Sequence, residues 1–162
     1  MKSDIVLVVA AAALVLAGVA GASKTSGASV GVAHSKLGRI LVDSRGRTLY
    51  VFAKDRSGKS TCNGACATYW PPLISAGKPR AQSGARASLL GRTKRQDGRW
   101  QVTYKRHPLY TFALDTKKGQ TKGEGLDDFG GEWDAVSPAG ARVEKSSAAS
   151  SNGGSGYGGY TP

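Results

Sequence analysis

The heptapeptide "LYVFAKD" at 49–55 returns sixty positions later as "LYTFALD" at 109–115, with Leu, Tyr, Phe, Ala and Asp in the same places. A segment stated twice must find the same environment twice, which constrains the fold more than any other feature of this chain. In an extended strand Tyr50 and Phe52 point to one face, while Leu49, Val51 and Ala53 point to the other. Both faces are apolar, so the strand is expected to be interior and covered on each side, as in a small sandwich or barrel. Burying each Phe or Tyr contributes on the order of 2 kcal/mol, so the repeat is first of all a core feature.

The likeness extends beyond the heptapeptide. In each copy the strand ends at an Asp, passes a glycine-rich loop and reaches a Trp: Asp55, Gly58, Gly64 and Trp70, then Asp115, Gly119, Gly125 and Trp133. Duplication explains this order, with two similar units packing face to face around one core and related by a pseudo-twofold axis. The two Asp residues read in two ways. Each opens a loop and can accept backbone N–H bonds, or the two carboxylates converge near the axis as a ligand or catalytic pair.

The remaining signals are those of strands and turns. "RILVDSRGRTLYVFAKD" predicts one hairpin, with Asp43 and Gly46 at the first and fourth positions of a tight turn. Asp97-Gly98 is a two-residue turn signal, and with "RHP" after "WQVTY" it predicts a three-stranded meander. "ARVEK" at 141–145 offers one more strand. No stretch beyond the N-terminus has sustained helical periodicity, so the domain is expected to be mainly β.

The N-terminal run 5–22 carries no charge and closes on Ala20, Gly21 and Ala22, the small residues that signal peptidase accepts. It reads as a secretory signal at 1–22, with an uncleaved membrane anchor as the alternative, since eighteen apolar residues sit at the lower edge of what spans a bilayer. A small polar spacer follows at 23–29, then the β domain at 30–145, with repeat one at about 38–75 and repeat two at about 98–140. The Ser/Gly/Tyr tail at 146–162 lacks the apolar surface to offset the entropy of ordering and is expected to be disordered.

The chain holds 23 Lys and Arg against 11 Asp and Glu, a formal net charge of +12. The leader contains one residue of each sign, Lys2 and Asp4, so the exported part keeps that balance. For an exported protein the matching partners are an envelope polyanion or an envelope protein, with nucleic acid not expected. Membrane contact is open through the N-terminal apolar segment, and the oligomeric state is not legible. The positive charge is concentrated at 78–106, where nine Lys and Arg face Asp97 alone.

Two cysteines, Cys62 and Cys66, lie in "STCNGACATYW". In an exported chain a disulfide is the default, and over so short a loop its effect is to fix loop shape more than to stabilise. A redox or copper-handling use of Cys62 and Cys66, with a His such as His107, is the competing reading. The acidic stretch at 123–134, with Asp127 and Asp128, has oxygen ligands but not EF-hand spacing, and reads as a solvated loop. No nucleophile elbow or Cys-His pairing with a third group is present, so no catalytic residue and no cofactor is expected.

Together, Tyr50-x-Phe52-x-x-Asp55, "STCNGACATYWPPL", "RQDGRWQVTYKRHPLYTFALD" and "GEGL" leading to "EWDAVSP" resemble a bacterial secreted-repeat family, described as predicted lipoproteins with a conserved Tyr-x-(Phe/Trp/Tyr)-x-x-Asp motif. The resemblance covers about 38–140 and implies exported envelope proteins built from tandem repeats, without an established activity. The family motif falls on Tyr50, Phe52 and Asp55 and on Tyr110, Phe112 and Asp115, with Trp70 and Trp133 following. The segment "LAGV" at 16–19 has Val19 where a lipobox carries its acylated Cys, so the lipid anchor of the family is not expected here.

Overall fold

The computed structural model describes residues 26–143. The leader, the first part of the spacer, the tail at 146–162 and the end of the expected last strand lie outside the described residues. Among those described, no helix is long and apolar enough to cross a membrane.

The domain is mainly β, with three sheets of three strands each. The first is built on β1 (Ser29–Ser35) and β2 (Gly38–Asp43), an antiparallel hairpin. Gly38, at φ 87, takes the left-handed conformation that its turn requires. Alternation along β2 sends Ile40 and Val42 to one core cluster and Leu41 to the other. Farther along the chain, β4 (Arg80–Ala81) pairs with β1 in parallel.

The second sheet joins the ends of the chain's two halves. Its central strand β9 (Gly131–Ala135) runs antiparallel both to β3 (Tyr50–Phe52) and to β8 (Leu126–Asp128). The third is the predicted meander: β5 (Leu90–Lys94), β6 (Trp100–Tyr104) and β7 (His107–Pro108), all antiparallel. Its first turn is at Asp97-Gly98, and its second at Lys105 and Arg106, both with positive φ. Among the described residues, one short α-helix, α1 (Ala65–Tyr69), follows the first glycine loop, and a 3-10 turn lies at Ala87–Leu89.

Three expectations change. The turn at 43–46 forms, with Gly46 N donating to the Asp43 carbonyl at 2.9 Å, yet its flanking strands then part into different sheets. The reason is coverage: Leu49 to Phe52 is apolar on both faces, and only a strand passing between two clusters buries both. The stretch at 123–134, read as a solvated acidic loop, is instead largely the β8–β9 hairpin, turning at Phe129 and Gly130. Among the described residues, the segment from 141 makes a single bridge, Val136 to Arg142, and no named strand. The sheets do not close into a barrel.

The repeats meet at the centre. Tyr50 and Tyr110 exchange both backbone hydrogen bonds, at 2.8 and 3.0 Å, so equivalent residues of the two copies face each other as an antiparallel pair. That is where a pseudo-twofold axis must pass. One core cluster takes Tyr50, Phe52, Trp70, Tyr110, Phe112 and Trp133. The other takes Leu49, Val51 and Leu109, together with Val102 and Tyr104.

Candidate functional site

The motif residues are exchanged across the axis. Tyr50 of the first copy donates its hydroxyl to Asp115 Oδ2 of the second at 2.6 Å, and Tyr110 of the second donates to Asp55 Oδ2 of the first at 2.7 Å. Five residues of extended strand span roughly 16 Å, so a Tyr and Asp at this spacing are poorly placed to meet within one copy and are well placed to meet between copies. The aromatic rings follow the same rule. Phe52 stacks on Trp133 at 4.1 Å, Trp133 on Trp70 at 3.9 Å, and Trp70 on Phe112 at 4.3 Å, giving a four-ring column that alternates between copies. Tyr50 meets the edge of Trp70, as Tyr110 meets that of Trp133.

Each aspartate also organises its own loop. Asp55 Oδ1 accepts from the Thr61 N–H and hydroxyl at 2.8 and 2.9 Å, and Asp115 Oδ1 accepts from the Lys122 N–H at 2.9 Å. The second loop is one residue longer, and the shift leaves the buried Thr121 hydroxyl without a hydrogen-bond partner among the described residues. Thr121→Val is therefore expected to be neutral or to stabilise by up to about 1 kcal/mol, read as a raised urea midpoint.

Burial pushes the Asp55 carboxyl above the usual carboxylate range, and the bonds from Thr61 and Tyr110 and the charge of Arg95 only partly offset it. A carboxyl raised on folding contributes stability that is present below its unfolded pKa and is lost as pH rises through the folded one. Asp55→Asn should therefore flatten the fall of stability between those two values, measured by urea titrations across mildly acid pH. Burial also pushes the Tyr50 and Tyr110 phenols up, with their aspartate partners adding to it. Both hydroxyls stay protonated as donors, and Tyr50→Phe or Tyr110→Phe, which removes one donor from a buried carboxyl, should cost about 1–3 kcal/mol.

Arg95, from the segment ahead of the second motif strand, is a buried cation that reaches into the loop of the first copy, and it lies within the basic run 78–106. Its guanidinium donates to Ser60 Oγ, Gln101 Oε1 and the Cys62 carbonyl, each at 2.7 Å, and to Asn63 Oδ1 at 3.1 Å. Ser60 Oγ in turn lies 2.7 Å from the Tyr110 hydroxyl, so Arg95 ties the cysteine loop to the Tyr110–Asp55 pair. The signal for it was alternation: Thr93 and Arg95 share the buried face, while Arg92 and Lys94 face out.

Cys62 and Cys66 form the expected disulfide, with Gly64 bending the chain between them at φ 55. Both sulfurs are thereby engaged with each other. The remaining candidates are dispersed. His107 and Asp127 are exposed, and Asp128 accepts from the Trp70 indole N–H at 3.3 Å. Among the described residues, no three His, Cys, Asp or Glu side chains group as a metal site.

Among the described residues, clefts open on the surface, three of which bear on the repeats. One of about 550 Å³ lies beside the disulfide and contains Arg95, Asp97 and Arg99. Hydrogen bonds from Arg99 hold Asp97 at about 2, so its carboxylate offsets the arginine there. The other two, of about 680 and 190 Å³, are lined largely by basic and hydroxyl side chains at the seam between the repeats.

A family model described as a secreted repeat of unknown function matches residues 31–74 and again 91–137, more than half of the chain. The chain belongs to this family. The secreted repeat thus occurs twice, and the two matches hold the two motif strands whose side chains are exchanged at the axis. Membership places the protein outside the cytoplasm, secreted or exposed at the envelope. No curated protein and no solved structure matches the chain significantly.

Proposed function

We propose that this secreted repeat protein is a non-enzymatic binding domain that engages a polyanion of the cell envelope. The observation that carries the reading is unbalanced charge. The chain bears +12, and the ion pairs among the described residues use only Arg47, Arg95, Arg99 and Arg142 of its basic side chains. Exposed cations among the described residues, such as Arg45, Lys59, Arg106, Lys117 and Lys118, can meet an external anion, which long-range attraction would bring to them. The buried Tyr, Asp and Trp residues, by contrast, are committed to one another, and a group without access to solvent serves the fold before it serves a ligand.

Attraction of this kind is screened by salt over roughly 10 Å at 0.1 M. Retention of the purified protein on isolated cell wall should therefore fall steeply between low and high salt. Retention that is indifferent to salt would sink the proposal.

A further inference from the structure

The two basic clefts at the seam are counterparts of each other. The larger is lined by Arg45 and Arg47, from the turn ahead of the first motif strand, and by Lys117 and Lys118, from the loop after the second. The smaller is lined by Arg106, from the turn ahead of the second motif strand, and by Ser57, Gly58 and Lys59, from the loop after the first. Equivalent positions of turn and loop meet in both, though through different atoms. A Cβ on Gly46 would lie 3.1 Å from the Lys118 side chain, and one on Gly58 would lie 3.1 Å from the Arg106 carbonyl, each residue being displaced by sixty positions.

Charge in these clefts is only partly neutralised from within. In the larger, Arg47 is paired with Asp43 at 2.7 Å and the Asp115 carboxylate is bonded to Tyr50, while Arg45, Lys117 and Lys118 have no carboxylate partner among the described residues. In the smaller, Lys59 and Arg106 likewise have none. Arg106 sits at φ 67, where the equivalent residue is Gly46 at φ 78. Glycine adopts this left-handed conformation freely and arginine does so at a cost, so the second turn carries its cation against local preference.

The motif strands run antiparallel through the Tyr50–Tyr110 pair, so the loops that follow them leave toward opposite ends. We infer that the domain is a two-ended binder, each cleft taking a phosphate group, so that one molecule cross-bridges two strands of a linear phosphate-bearing polymer. This deepens the polyanion reading and rests on it. Arginine forks, lysine point charges and the Thr116, Ser57 and Thr103 hydroxyls suit a tetrahedral oxyanion. A flat bilayer is the poorer fit. It reaches only one of two opposed ends, and the one large apolar side chain of either lining, Phe112, is only 5% exposed.

The test uses the full exported chain with long-chain inorganic polyphosphate at low salt, following light scattering for cross-linked assemblies and calorimetry for stoichiometry. The wild type should scatter strongly. Lys117→Gln/Lys118→Gln, which closes one end, and Arg106→Gly, which closes the other in a conformation glycine favours, should each abolish scattering. Each should still bind, with about tenfold lower apparent affinity from lost avidity. Cross-linking by either variant overturns the inference, as does equal assembly with polyglutamate or equal aggregation of phosphatidylglycerol vesicles. If a variant lacking both ends keeps salt-sensitive retention on cell wall, the polyanion reading stands and the clefts are not what carries it.

Discussion

Trp70→Ala is expected to bring the domain close to unfolding. Trp70 is fully buried, with Trp133 on one side at 3.9 Å, Phe112 on the other at 4.3 Å and the Tyr50 ring against its edge. Truncating a buried aromatic costs about 3–5 kcal/mol, against total stabilities of about 5–15 kcal/mol for ordinary domains. Trp133→Ala should cost as much for the same reason. Because the two indoles stack on each other, the double substitution should cost less than the sum, the shared contact being lost once. Trp100→Ala is the control. That ring is 42% exposed, with the Arg92 guanidinium 5.0 Å from its centre, and its loss should cost about 0.5–1 kcal/mol. Urea midpoints followed by circular dichroism separate these cases. A midpoint for Trp70→Ala within that control's range would show that the column is not what holds the halves together.

The second large effect concerns Arg95. Replacing it with leucine removes the donor to five acceptors, two of them in the Cys62–Cys66 loop, one within reach of Tyr110 and one the Asp97 carboxylate. Leaving buried acceptors unpaired costs about 1–3 kcal/mol each in the worst case, and relaxation keeps the total near 3 kcal/mol. Arg95→Lys should recover little of it, because a single ammonium cannot reproduce the planar fork that spans Ser60, Gln101 and the Cys62 carbonyl. A second readout separates this from simple loss of packing. The charge of Arg95 lowers the Asp55 pKa, so the leucine substitution should move the acid window of stability to higher pH, while lysine, which keeps the charge, should move it less. An unchanged window with a lowered midpoint would mean that Arg95 acts through packing alone.

The parts of this fold that were legible are the local ones. Strand periodicity is a property of neighbours, so Leu49, Tyr50, Val51 and Phe52 announced two buried faces, and the structure divides them between two clusters as that pattern requires. Asp43-x-x-Gly46 and Asp97-Gly98 announced turns for the same reason. Partnership is not local. Nothing in the first copy states that Tyr50 belongs with Asp115 or that β3 belongs with β9, although the recurring five-residue spacing was a clue that the partner lay elsewhere. Strand β1, "SVGVAHS", gives a weak strand signal because its small and glycine residues dilute the apolar pattern. Asp-Asp-Phe-Gly-Gly reads as loop because charge and glycine mask the two short strands on either side. Arg95 was lost among its charged neighbours, and the clefts could not be drawn before the turn of one copy was known to touch the loop of the other.

The exchange of partners also sets a timetable. The partners of repeat one lie far downstream, with Tyr50 waiting for Asp115, sixty-five residues on, and Phe52 waiting for Trp133. A chain that emerges N-terminus first therefore has no closed core to offer until the β8–β9 hairpin has appeared. Contacts of such long sequence separation form slowly, since the loop entropy must be overcome before they reward the chain. For an exported protein the expected consequence is that the first half lacks its core partners until the second half has followed it.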